Sequence, residues 1–219
     1  AVSRYNIPAR YLHDLISGTE MDLRIASYAT FEMLRGYCYR VAGTVGLCCT
    51  HVFGFRDPRA LELAEKLGIA FQLTNILRDV RADLQMDRVY LPQEDLQRFG
   101  CRPAELAGPV TPPLRELLAF EADRAWQFYE EGGELLRLID EDSRPALWAL
   151  ARIYSGILEE IEARGYDVFA LDKVRLSTAY KVWVMLRARL GWWSSEHGFQ
   201  ERDHHRRGSR GTLLGRRAG

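Results

Sequence analysis

Four polar residues carry the first chemical suggestion in this chain: Gln72, Asn75, Asp79 and Asp83, in the stretch FQLTNILRDVRADLQMDRVYLP. An α-helix turns about 100° per residue, so steps of four drift only about 40°. Asn75, Asp79 and Asp83 therefore share one face over two turns, with Gln72 a turn earlier. Two carboxylates and an amide oxygen in a row offer hard oxygen ligands. Mg²⁺ accepts such a set, keeps several waters and takes its remaining oxygens from a substrate phosphate. Arg78 and Arg88 add positive charge for the same phosphate. The spacing also suits an ordinary solvated face, because carboxylates four apart repel by only a few tenths of a kcal/mol.

The preceding segment bears on that choice. GYCYRVAGTVG places Gly36, Gly43 and Gly46 in one helix, each at a cost of about 1 kcal/mol relative to Ala. Such small residues admit a close helix or leave room for a ligand. Tyr37, Val41 and Val45 recur every four residues as an apolar stripe ending in a phenol. A metal-lined mouth over an apolar channel would suit a lipid diphosphate, and tight helix packing explains the stripe equally well.

The elements around these residues read as helices throughout. Strict alternation and Asn-Gly hairpin turns are missing. A short helix covers IPARYLHDLI and stops near Gly18. A long one runs from about Ser27 to Phe53 and looks buried nearly all round. Asp57-Pro58 restarts the chain as an N-cap followed by a first-turn proline. The next helix, about Pro58 to Leu84, carries the polar stripe. A loop and a short helix ended by Gly100 follow, then helices over roughly Leu114–Leu138, Ser143–Arg164 and Val174–Ser195, with Gly132-Gly133 as a candidate break and Gly165 as an exit.

The bulk composition narrows the function. The 219 residues suit one domain or a large part of one, and 47% are hydrophobic. Lys plus Arg and Asp plus Glu both number 30, so no global field points to nucleic acid. No apolar run is long enough to span a bilayer, and no signal peptide is visible. Cys38, Cys48, Cys49 and Cys101 lack metal-type spacing and read as buried thiols of a reducing cytosol. We place the boundary of the helical domain at residue 197. Residues 198–219 hold six Arg against Glu201 and Asp203 and read as a disordered basic tail, with an arm for acidic lipid or nucleic acid as the alternative.

YCYRVAGTVG followed by IAFQLTNILRDVRADLQMDRVYLPQEDL resembles the squalene/phytoene synthase family. The similarity runs from about Arg4 to Leu190, and RGYDVFALDKVRLS is similar to a signature of bacterial presqualene diphosphate synthases of hopanoid biosynthesis. The resemblance implies an all-α isoprenoid-synthase bundle around a central cavity. It implies Mg²⁺ held by Asn75, Asp79 and Asp83, with Gln72, Arg78, Arg88, Tyr90, Tyr154 and Lys173 around the diphosphate. Tyr37 would assist ionisation or proton handling, and Val41 and Val45 would wall the channel. Lys173 stands where the family often has Arg, which keeps the charge and loses the bidentate fork.

The implied reaction joins two farnesyl diphosphates head to head into presqualene diphosphate, and on to squalene where NADPH is supplied. The alternatives are condensation of two geranylgeranyl diphosphates to phytoene and a non-catalytic helical interaction module. A lipid substrate fits a cytoplasmic protein with peripheral membrane contact; the sequence is silent on oligomeric state. The family also carries a first Asp-rich motif on a facing helix. No counterpart stands upstream of Tyr37, so the expectation is an N-terminally incomplete bundle that is inactive alone.

Overall fold

The computed structural model describes residues 2–169 and 173–191. Among these residues the fold is helical, with no strand beyond the isolated bridges Ser27–Val89 and Phe55–Ile139. The expected all-α class is what is observed. The helices are α1 (Ala9–Met21), α2 (Phe31–Cys38), α3 (Thr44–Phe53), α4 (Arg59–Leu84), α5 (Gln93–Arg98), α6 (Pro112–Gly132), α7 (Leu135–Leu138), α8 (Arg144–Ala163) and α9 (Thr178–Arg189). No helix among the described residues is long and apolar enough to cross a membrane.

Local chemistry explains most boundaries. The Asp57 carboxylate accepts from the Arg59 amide at 2.9 Å, so it caps α4 as its sequence suggests. Thr111 and Ser177 cap α6 and α9 through the amides of Leu114 and Tyr180. The break at Gly132-Gly133 separates α6 from α7. Gly165 takes φ +62° just past α8, a conformation that glycine adopts without strain.

Three expectations need correction. The helix α1 passes through Gly18 and ends at Met21. A side chain at Gly18 would lie 2.7 Å from Arg40 Cβ, so this glycine serves a helix crossing and not a stop. The long second helix starts at Phe31, where Thr30 caps the Met33 amide, and it is not uniform. A π-helical turn, Tyr39–Gly43, joins α2 to α3. Nor is it buried all round: one side packs on α1 and α4, while Val45 and Val52 are exposed. Finally, α9 starts at Thr178 instead of Val174, because Ser177 supplies the cap. The tail expected over residues 198–219 lies outside the described residues.

The helix α4 is the spine. It packs against α6, the π turn, α3 and α8, and buries Leu67, Ile69, Leu73, Ile76, Leu77 and Val80. Its buried positions go most of the way round, as expected for a central helix. In contrast, α9 leaves Val182, Trp183, Met185 and Leu186 exposed.

One buried charge cluster ties α5 to α6. Arg124 donates to Asp95 at 2.9 Å and to Glu121 at 2.7 Å. Two buried carboxylates thus share one guanidinium, and Glu121 Oε1 has no partner. Burial, reinforced by the nearby Asp95, pushes Glu121 up to about 8 despite Arg124. An unfolded Glu titrates near about 4.3. Between these values the folded chain binds more protons than the unfolded one, so stability falls as pH rises. The contribution is full below the unfolded value and is lost through the folded one. The urea midpoint should therefore drop between pH 5 and pH 8.5, as ~4.3 and ~8 bracket the transition. Glu121→Gln should flatten that slope; a wild-type midpoint independent of pH would contradict the assignment.

Candidate functional site

The polar stripe of α4 opens onto an apolar cavity of about 340 Å³. Gln72 and Asn75 stand at its polar end, and Val41, Val45, Phe71 and Tyr154 are among its walls. The cavity lies between α3, α4 and α8. Phe71 faces the cavity and stacks on Tyr154 with centroids 4.5 Å apart. Phe71 is four residues before Asn75, so it continues the same helix face one turn earlier. Val45 is 41% exposed, so this wall opens to solvent.

Two close approaches create the wall. A Cβ at Gly46 would sit 2.6 Å from the Ala64 carbonyl oxygen, and one at Gly68 would sit 2.6 Å from that of Ala42. The glycines let α3 and the π turn lie directly on α4. The sequence left close packing and ligand space as alternatives for Gly46; both hold, since Gly46 and Gly68 also line the cavity.

One and two turns beyond Asn75 stand Asp79 and Asp83. Arg78 donates to both oxygens of Asp79, at 2.9 and 2.6 Å. Lys173 reaches Asp79 Oδ1 at 2.8 Å. Burial pushes the Asp79 carboxyl up, but Arg78 and Lys173 outweigh it and hold the group below the usual carboxylate range. Arg81 donates to the Phe169 carbonyl and so tethers α4 to the segment before Lys173. Asp83 differs. Among the described residues no side chain or amide donates to its carboxylate. Burial and the neighbouring Asp79 push it up to about 6, with Arg88 and Lys173 opposing.

The loop after α4 brings Arg88 and Tyr90 beside Asp83, where all three line a small pocket. Tyr37, buried in α2, stacks on Tyr90 with centroids 5.4 Å apart and packs tilted against Tyr28 at the same separation. Burial raises all three phenols, Tyr90 to about 12.

The residues singled out from sequence therefore form three linked groups. Val41, Val45, Gln72, Asn75 and Tyr154 line the cavity. Arg78, Asp79 and Lys173 form a charged cluster, and Asp83, Arg88, Tyr90 and Tyr37 a neighbouring one. One residue with a place here was missed: Asp22, which accepts from the hydroxyls of Tyr37 and Tyr90. Its partners lie far off in sequence, so no spacing rule could have found it.

The donor set fits a cation that brings part of its own coordination. No group of three or more His, Cys, Asp or Glu able to hold a metal occurs among the described residues. Asn75, Asp79 and Asp83 supply an amide and two carboxylates, and the Asp83 carboxylate has no donor among the described residues. That suits Mg²⁺ completed by water and phosphate oxygens better than an all-protein cage.

Comparisons with known proteins give the family and the fold. The 15-cis-phytoene synthase of Synechocystis is 43% identical over 169 residues, covering 71% of this chain and 50% of that protein. The chloroplastic phytoene synthase 1 of Arabidopsis thaliana is 40% identical over 176 residues, covering 77% and 42%. The chain thus spans about half the length of the curated relatives it matches. A dehydrosqualene synthase crystal structure superposes with a TM-score of 0.79 at 35% identity, covering 85% of this chain and 66% of that one. A squalene synthase from Alicyclobacillus acidocaldarius gives 0.72 at 30% identity, covering 75% and 63%. The squalene/phytoene synthase family model matches residues 1–180, and the chain belongs to that family of head-to-head prenyl-condensing synthases.

Proposed function

We propose that this chain binds a prenyl diphosphate with Mg²⁺ and takes part in the head-to-head condensation of two geranylgeranyl diphosphates to phytoene. The carrying observation is the continuity of the α4 polar face with the apolar cavity, which Gln72 and Asn75 line. A ligand with a charged head and a long apolar tail is what such a site recognises. Curated relatives at 43% and 40% identity are phytoene synthases, which favours the geranylgeranyl substrate over the farnesyl one suggested by RGYDVFALDKVRLS.

In this reading each side chain has a defined task. Val41, Val45 and Phe71 hold the prenyl tail and exclude water from a reactive allylic carbon. Arg78, Lys173 and Arg88 present positive charge to the diphosphate, where negative charge grows as the carbon–oxygen bond breaks. Asn75, Asp79 and Asp83 would hold Mg²⁺, which when bound stabilises the leaving diphosphate. Tyr37 and Tyr90 stand at the same end as acceptors or donors of protons. Squalene formation would in addition require NADPH.

Calorimetric titration of the chain with geranylgeranyl and farnesyl S-thiolodiphosphates, which resist ionisation, tests the proposal. Binding should require Mg²⁺ and should be tighter for the geranylgeranyl analogue. Tighter farnesyl binding would restore the presqualene reading. Binding of neither would leave a helical scaffold without this chemistry.

A further inference from the structure

We infer that Asp22 is the positioning residue that sets three groups at the diphosphate end of the site: Tyr37, Tyr90 and Arg88. This rests on the prenyl diphosphate reading above. Asp22 directly follows α1, and its amide is bonded to the Glu20 carbonyl. The amides of Leu23, Arg24 and Ile25 also return to Glu20 and Met21, which ties the turn down. From that fixed point its two carboxylate oxygens diverge. Oδ1 accepts from the Tyr90 hydroxyl at 2.8 Å, and Oδ2 accepts from the Tyr37 hydroxyl at 3.2 Å. Its main-chain carbonyl accepts from Arg88 Nη2 at 2.8 Å.

One residue thus touches three groups from α2 and from the loop after α4. The backbone repeats the same link further along. The amides of Val89 and Gln93 donate to the carbonyls of Ala26 and Tyr28, at 2.8 and 2.9 Å. The rings of Tyr37 and Tyr90 are already fixed by stacking, 24° apart in plane. Only the direction of each hydroxyl proton remains free, and Asp22 settles it. Both hydroxyls donate to the carboxylate, which leaves the phenol oxygens as acceptors.

Only a carboxylate does this for two donors. An Asn offers one acceptor oxygen and turns an NH₂ donor toward the second hydroxyl. That phenol must then rotate or lose its partner. Arg88 keeps its contact, because it uses the main chain.

The test is a double-mutant cycle on binding. The probe is geranylgeranyl S-thiolodiphosphate with Mg²⁺, titrated into the chain, with a melting curve for each variant. Asp22→Asn should weaken binding about 10- to 100-fold, as expected for a lost charge-assisted hydrogen bond. Tyr37→Phe/Tyr90→Phe should show a similar loss, and adding Asp22→Asn to that background should cost nothing further. An equal loss in both backgrounds would make Asp22 merely structural and overturn the inference. Unchanged affinity in Asp22→Asn would overturn it while leaving the prenyl diphosphate reading intact. Absence of binding by the wild-type chain would overturn both. Should Asp22→Asn not melt cooperatively, the tyrosine pair decides: unchanged binding in Tyr37→Phe/Tyr90→Phe refutes the inference.

Discussion

Asp79→Asn should weaken Mg²⁺-dependent binding of geranylgeranyl S-thiolodiphosphate by at least ~100-fold, because even removal of an outer-shell partner costs 10–100-fold at metal sites. Asp79 is the charge on which the polar end converges. It is bonded by Arg78 through both oxygens and by Lys173 through one. Asparagine keeps the volume but removes the charge and one of two acceptors. A divalent cation then has a single carboxylate left, that of Asp83.

The fold should survive that substitution. The Lys173 side chain is 43% exposed and can return to water, and Arg78 retains partial exposure. A surface carboxylate gives the control: Glu62, exposed on α4, pairs with Lys66, and Glu62→Gln should leave binding unchanged. Near-normal affinity in Asp79→Asn would remove Asp79 from the site.

Gly68→Ala should lower the melting temperature, against the usual direction for a glycine inside a helix. Replacing a helical glycine by alanine ordinarily gains about 1 kcal/mol. At Gly68 the new methyl would meet Ala42 O at 2.6 Å, and Ala42 C and Gly43 Cα at 2.9 Å. All three are backbone atoms, so no side chain can swing aside. The π turn and α4 must separate, and overpacking of this kind costs about 1–3 kcal/mol or more. For a chain of this size each kcal/mol moves the melting temperature by about 2–4 °C.

The loss at Gly68 should therefore exceed the propensity gain. Gly36 makes the contrast: a methyl there meets only Arg40 Nη1 at 3.6 Å, and Gly36→Ala should be neutral or stabilising. A Gly68→Ala chain at least as stable as wild type would show that α4 and the π turn are not held at this distance. Because Gly68 lines the cavity, its substitution should weaken prenyl binding as well.

These sites also show what the sequence makes legible. The stripe Gln72, Asn75, Asp79, Asp83 depends on one helix, and a 3.6-residue period displays it directly. The cap at Asp57 and the break at Gly132-Gly133 are equally local. Gly18 was misread because its role is set by Arg40 on another helix. The segment to Phe53 looked buried throughout because its apolar content does not distinguish a core face from a cavity wall. The π turn leaves no mark in the periodicity. Lys173 comes to Asp79 across 94 positions, and only the family resemblance put it there. Asp22 shows the limit most plainly: its phenol partners lie 15 and 68 positions away, and nothing in MDLRI announces them.

The central claim is that Asn75, Asp79 and Asp83 hold a divalent cation at the mouth of a prenyl cavity. Anomalous diffraction from crystals of the chain grown with Mn²⁺ and geranylgeranyl S-thiolodiphosphate tests it most directly. The account predicts a manganese peak within coordination distance of Asp79 and Asp83, with the diphosphate on the same ion and the tail along Val41, Val45 and Phe71. Manganese bound away from α4, or a tail lying outside that cavity, would contradict it.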